Sequence, residues 1–289
     1  MAVKNTGKRE HSPGKLPAAL ANKRVGVIGA GKIGSILLQA LLKKGLPKSR
    51  ARASVQHAES ARTRSAALGI AVGTDNRAVA RGADIILIGV KPPAVGAVLE
   101  EIASCVTRDQ LVISVAASVP TSYMQSRLPA GVPVVRAMPN TPCMVGSGMT
   151  GICKGENANQ SHLEIARHLF ETVGRTVVVD EKHMDAVTAL SASGPAYIYI
   201  ILESLAEAGV KVGLPRHIAT LMASQTALGA AQVVLETGDH PALLKDAVTT
   251  PAGCTIDGIL ELEEGKLRVT LIKAVVKAAE RAKQLMFVE

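Results

Sequence analysis

The stretch that most constrains this chain is residues 24–44, RVGVIGAGKIGSILLQALLKK. Residues 24–28 form a short apolar run rich in β-branched side chains, the composition of a buried strand. Glycines follow at 29, 31 and 34, and apolar residues then recur at Ile33, Ile36, Leu37, Ala40 and Leu41, which is helical spacing. Strand, glycine turn and helix in that order satisfy the G-x-G-x-x-G fingerprint of dinucleotide binding. In such a unit Gly29 permits the tight turn, Gly31 lets backbone approach a pyrophosphate, and Gly34 lets the helix pack on its strand. The helix start then offers free N–H groups and a positive dipole end to the phosphates.

Strands and helices go on alternating. Residues 51–56 (ARASVQ) read as a second, weaker strand, and its end bears on the cofactor. An NAD-selecting site places Asp or Glu there to hold the ribose 2′-hydroxyl. Here that place holds Ser54, Gln56 and His57; the first acid, Glu59, lies beyond the strand, and Arg62 and Arg64 follow in the next helix. Guanidinium groups without a carboxylate favour a 2′-phosphate, hence NADPH over NADH, with NADH still allowed. The plainer alternative is that these arginines lie on a solvated face.

Residues 84–90, 111–117 and 132–137 are further buried strands, ending in small, polar or proline-kinked residues that in a parallel sheet line one crevice. Strands at 148–154 and 175–179 bracket a helix at 161–172. The expected fold class is α/β: an N-terminal doubly wound Rossmann domain, residues 24–182, then an all-α C-terminal dimerisation domain, 183–289. The helical half reads as helices at 197–212, 216–236, 241–248, 256–264 and 267–285, rich in Ala and Gly that permit close approach. A wholly helical segment with so much apolar surface buries it against a second copy; dimer versus higher oligomer is left open.

Composition removes other classes. Only five residues are aromatic and none is Trp. Of the net charge of +9, +5 comes from residues 1–24, where six Lys or Arg face one Glu. The rest is thinly spread, with almost nothing to stack on bases, so nucleic acid is not an expected partner. Residues 1–23 read as a disordered basic extension without a secretory signal. No uninterrupted apolar run reaches the ~18 residues that span a bilayer, so no membrane is expected either. Cys105, Cys143, Cys153 and Cys254 are far apart in sequence, as free thiols in a reducing, cytoplasmic setting would be, with no metal site.

With these segments in view, the chain resembles the pyrroline-5-carboxylate reductase family. The likeness rests on VGVIGAGKIG (25–34), VKP (90–92), SVAAS (114–118), VRAMPNTP (135–142), LSASGPAYIY (190–199), GLP (213–215), QTALGA (225–230) and, above all, HPALLKDAVTTPAGCTIDGILELE (240–263). It implies NAD(P)H-dependent reduction of the cyclic imine of pyrroline-5-carboxylate to L-proline, the last step of proline biosynthesis, in a homodimer joined through the C-terminal helices. It assigns Gly29, Gly31, Lys32 and Ile33 to the cofactor pyrophosphate. Val90, Lys91, Pro92, Ala116 and Ala117 go to the adenosine-to-nicotinamide stretch, and Asn140 to the nicotinamide ribose side. His57 and Arg62 join this cofactor set from the 2′-phosphate reading. Ser191, Ser193 and Gly194, with Gly253, Cys254 and Thr255, take the substrate carboxylate, and the Thr255 hydroxyl lies near the ring nitrogen as the catalytic group. The alternative for Thr255 is a helix cap with no ligand.

Ser118, Ala192 and Ala252 stand where that family commonly has glycine, and Asp257 where a small residue is usual. The chemistry needs position and hydrogen bonds more than a nucleophile, consistent with the lack of a Ser-His-Asp set, G-x-S-x-G or Walker loop. Two competing readings are another imine or β-hydroxyacid reductase, which in the latter case needs a lysine base that SASGPAY does not hold, and a non-catalytic nucleotide-sensing dimer, which has no use for the 249–255 loop.

Overall fold

Four β-branched or leucyl residues in a row at 85–88 set the layering. In the computed structural model, which describes residues 15–285, they form a strand buried on both faces. Ile85 and Leu87 point into one apolar cluster, and Ile86 and Ile88 into another on the opposite face. A strand buried on both sides belongs to a parallel sheet covered by helices. In chain order the elements of this unit are β1 (Val25–Ile28), α1 (Lys32–Lys43), β2 (Ala51–Ser54), α2 (Ala58–Leu68), β3 (Ala71–Gly73), α3 (Asn76–Arg81) and β4 (Ile85–Ile88). There follow α4 (Val95–Ile102), β5 (Leu111–Ser114), α5 (Thr121–Gln125), β6 (Val134–Pro139), β7 (Gly148–Lys154), α6 (Gln160–Glu171), β8 (Gly174–Val178) and α7 (Met184–Val187).

The eight strands lie in the order β3-β2-β1-β4-β5-β6-β7-β8. From β1 the chain winds outward through β2 and β3, then returns to β4 on the other side. The switch in winding therefore falls between β1 and β4, where ligands of doubly wound sheets bind. Two features depart from the sequence reading. Strand β3 adds to the expected set: three residues of Ala, Val and Gly carry too little pattern to stand out in the sequence. Strand β7 runs antiparallel to β6, because only the short turn 140–147 joins them, too short for a crossover helix.

The described chain divides into two units, one formed by the chain up to Ala192 and from Ala282 onward, the other by Ser193–Arg281. The division lies past residue 182 because Met184 and Ala189 are fully buried and α7 packs on β7. The basic extension expected over 1–23 falls partly outside the described residues. From Lys15 the chain is ordered, and Leu20 is fully buried in the same cluster as Leu37 and Leu163.

The second unit is helical: α8 (Gly194–Lys211), α9 (Arg216–Thr237), α10 (Pro241–Ala247), α11 (Cys254–Glu264) and most of α12 (Leu267–Gln284). Small residues do bring helices close: a Cβ added at Gly209 of α8 would lie 2.8 Å from that of Ala219 in α9. Apolar side chains nevertheless stay uncovered. Ile200, Leu221, Leu228, Leu243, Leu260 and Ile272 are each more than half exposed. By length and mean hydropathy (1.2 and 1.4), Glu181–Lys211 and Arg216–Thr237 are long and apolar enough to cross a membrane. Neither contains a long uninterrupted apolar run, because residues such as Glu203, Ser204, Gln225 and Gln232 break an otherwise apolar background.

Candidate active site

The glycine turn has the geometry its residues suggest. Gly29 has φ +86°, a backbone region that L side chains avoid, and a Cβ there would meet Val90 Cγ1 at 2.6 Å. A Cβ on Gly34 would lie 2.9 Å from both the Gly29 carbonyl oxygen and Val27 Cγ1, so α1 seats on β1 only with glycine there. At Gly31 a Cβ would meet nothing within 4 Å. Gly31 is the N-cap of α1, no side chain caps that end, and its first turn holds no acid. The opening amides of Lys32 and Ile33 thus lack both a side-chain partner and a helical one, in the open space beside Gly31. This cradle fits a dinucleotide pyrophosphate.

The ends of neighbouring strands extend it. Gly89 approaches β1 so closely that a Cβ would stand 2.7 Å from the Gly29 carbonyl oxygen. Val90, Lys91 and Pro92 then leave β4 in a half-buried to exposed segment, and Ala116 and Ala117 follow β5 in the same way, Ala116 buried and Ala117 half-buried. At the end of β2 the Ser54 side chain is turned inward, its hydroxyl donating to Asn76 Oδ1 at 2.7 Å. Position 54 is therefore closed to a ribose, and the exposed residues there are Gln56 and His57, with Arg62 exposed in the second turn of α2. His57 is the N-cap of α2 yet makes no side-chain cap bond.

At the end of β6 two predicted residues meet. Asn140 Nδ2 donates to the Ser191 carbonyl at 3.1 Å and lies 3.5 Å from its hydroxyl, while Asn140 Oδ1 accepts from the Met149 amide at 2.9 Å. The remaining substrate-assigned residues lie on the second unit. Ser193 is the N-cap of α8 without a side-chain cap bond, and Gly194 and Pro195 begin the helix. Gly253 is the N-cap of α11 and leaves no room for a side chain, since a Cβ would meet Thr250 Oγ1 at 2.4 Å.

That placement corrects the helix start expected at 256. The helix begins at Cys254, so Thr255 is its second residue and cannot be its N-cap. Among the described residues the Thr255 hydroxyl has no hydrogen-bond partner, and Cys254 beside it is exposed. The cap alternative fails because the Pro251-Ala252-Gly253 turn already supplies extended backbone at Gly253. Ser118 and Ala252, two of the three departures from glycine, adopt φ +60° and +56°. Ala192 does not; it sits in the helical turn Thr188–Ala192, where a methyl costs nothing.

One cluster escaped the sequence reading. Arg136 in β6 is buried; its Nη1 donates a long hydrogen bond to Glu181 Oε1 at 3.5 Å, and its Nη2 lies 3.7 Å from Asp185 Oδ1, an ion pair beyond hydrogen-bond range. Glu181 also accepts from the Thr121 amide at 2.7 Å and the Thr121 hydroxyl at 2.6 Å, holding the start of α5. Nearby, burial pushes the Cys153 thiol up to about 12, and the Glu181 charge adds to the rise. The signal was present: a lone arginine within VPVVRA, otherwise an apolar strand.

A family model described as pyrroline-5-carboxylate reductase dimerisation matches residues 181–285, and one described as NADP oxidoreductase, coenzyme F420-dependent, matches residues 24–118. A pyrroline-5-carboxylate reductase of Methanosarcina acetivorans is 44% identical over 267 residues, covering 92% of this chain and 99% of that protein. The chain belongs to the pyrroline-5-carboxylate reductase family. Solved structures agree. A pyrroline-5-carboxylate reductase from Coxiella burnetii superposes with TM-score 0.85 at 34% identity, covering 92% of this chain and 99% of that one. The Plasmodium falciparum pyrroline carboxylate reductase with NADP bound superposes with TM-score 0.82 at 30% identity, covering 92% and 98%. Membership in this reductase family makes the chain a pyridine-nucleotide oxidoreductase, and its residues 181–285 match the family's dimerisation domain.

Proposed function

We propose that this chain reduces 1-pyrroline-5-carboxylate to L-proline, the last step of proline biosynthesis, with NADPH preferred to NADH. The observation that carries this reading is 44% identity to a pyrroline-5-carboxylate reductase along nearly the whole of both chains. When bound, the nicotinamide supplies a hydride. The chain's own residues supply position, which for a reactive iminium is most of what is needed. The Gly29–Ile33 turn holds the pyrophosphate on the α1 amides. Val90, Lys91, Pro92, Ala116, Ala117 and Asn140 seat the rest of the dinucleotide, and His57 and Arg62 take the 2′-phosphate, Arg62 by charge-assisted bonds that NADH cannot make.

Ser191, Ser193 and Gly194, with the start of α11 at Gly253 and Cys254, hold the substrate carboxylate; the Gly253 amide already donates to the Thr250 carbonyl at 3.1 Å, so the amides that serve are those of Cys254 and Thr255. Thr255 Oγ1 holds the ring nitrogen as the iminium becomes an amine. The half-exposed apolar side chains of α9 and α12 form the subunit contact of a dimer, the natural cover for a surface of which α9 by itself has the hydropathy of a membrane span. No membrane and no nucleic acid is involved, and the four free thiols suit the cytoplasm. The test is turnover: purified full-length protein oxidises NADPH only when pyrroline-5-carboxylate is added, forms proline, and reduces NADP⁺ with proline at alkaline pH. Folded protein inert with both nicotinamide cofactors refutes the proposal.

A further inference from the structure

Three long-range hydrogen bonds, to two distant residues, converge on the loop between β5 and α5. Thr121, at its far end, is held by Glu181. Ser118, in its middle, donates its hydroxyl to the Ala282 carbonyl at 2.9 Å, a bond across 164 residues of sequence, and both residues are buried. Ala282 lies in the last turn of α12, which belongs to the same unit as the sheet. Ser118 makes this bond from φ +60°, a conformation that glycine adopts freely and serine does not. The nucleotide-assigned residues Ala116 and Ala117 immediately precede it.

We propose that Ser118 is a positioning residue for the pyridine nucleotide: its hydroxyl seats the last turn of α12 on the loop that carries Ala116 and Ala117, so that nucleotide binding and the seating of that turn are coupled. The coupling is reciprocal, since whatever the bound nucleotide does to the seat, the seat does to nucleotide affinity. The inference rests on the placement of the nucleotide against Ala116 and Ala117 proposed above.

The test is amide hydrogen exchange on the full-length protein with NADP⁺ as the probe, followed at residues 115–119 and 282–285, with calorimetric titration of NADP⁺ alongside. In the wild type NADP⁺ slows exchange at both places. In Ser118→Ala it slows exchange only in the loop, and the Kd for NADP⁺ rises roughly three- to tenfold, the worth of one hydrogen bond. Ser118→Gly behaves the same way, and because glycine takes the loop's backbone without strain it keeps the fold even if the alanine variant does not. Protection of the loop without protection of 282–285 in the wild type overturns the coupling. So does a lower Tm in the variants with an unchanged Kd. If neither place is protected, the nucleotide does not lie against Ala116 and Ala117, and both the placement and the inference fall.

Discussion

Thr255→Val separates catalysis from helix capping, and the structure sets the scale of each. Had Thr255 been the N-cap of α11, its loss would cost ~1 kcal/mol, or about 4–8 °C in Tm for a unit of this size. The cap is Gly253 instead, Thr255 is the second helical residue, and its hydroxyl has no partner among the described residues. Valine has nearly the same volume, the same β-branching and a similar helix propensity. The change therefore removes no intramolecular hydrogen bond and should stay within about 0.5 kcal/mol, roughly 2–4 °C. If the hydroxyl holds the ring nitrogen in the transition state, its loss costs about 10²-fold in kcat/KM, close to 2.7 kcal/mol. Thr255→Ser keeps the oxygen and should retain most activity. The assay pairs calorimetric Tm with steady-state kinetics in NADPH and pyrroline-5-carboxylate for all three proteins. A valine variant with near-wild-type kcat/KM refutes the catalytic assignment, and one whose Tm falls by the capping amount refutes the placement of the helix start.

The remaining predictions concern cofactor, turn, assembly and thiols. Arg62→Ala should weaken NADPH by roughly 10- to 150-fold and NADH far less, measured by the KM of each; equal losses would remove Arg62 from the 2′-phosphate. Gly31→Ala should fold normally, because its methyl enters open space, yet lose affinity for NADP⁺ by titration. Gly34→Ala should lose stability, because its methyl would lie 2.9 Å from the Gly29 carbonyl oxygen. Light scattering at micromolar concentration should show no active monomer, and a charge placed on the exposed Leu228 or Ile272 should shift the protein toward one. Alkylation at pH 8.5 should modify the exposed Cys254 rapidly, and NADPH with proline should slow it. Cys153 should stay unmodified until unfolding, since burial holds its thiol near 12, far above the working pH.

Much of this protein could be read from the sequence because its signals are local. The apolar run before Gly29 and the helical spacing after Gly34 determined the βαβ unit. The β-branched runs at 85–88 and 111–114 determined a sheet buried on both faces, and the TTPAGCT loop named the family. These features act through backbone sterics and side-chain periodicity, which are properties of neighbours along the chain. What only the tertiary structure decided is non-local. The antiparallel turn of β7 follows from the length of its connection and the space left beside β6. The inward turn of Ser54 depends on Asn76 from another element, and the buried pairing of Arg136 with Glu181 and Asp185 depends on where α7 returns to the sheet. The helix start at Cys254 depended on which residue of the preceding turn kept an extended backbone. The left-handed backbone at Ser118 is held in part by a carbonyl 164 residues away, and no window of sequence contains both partners of that bond.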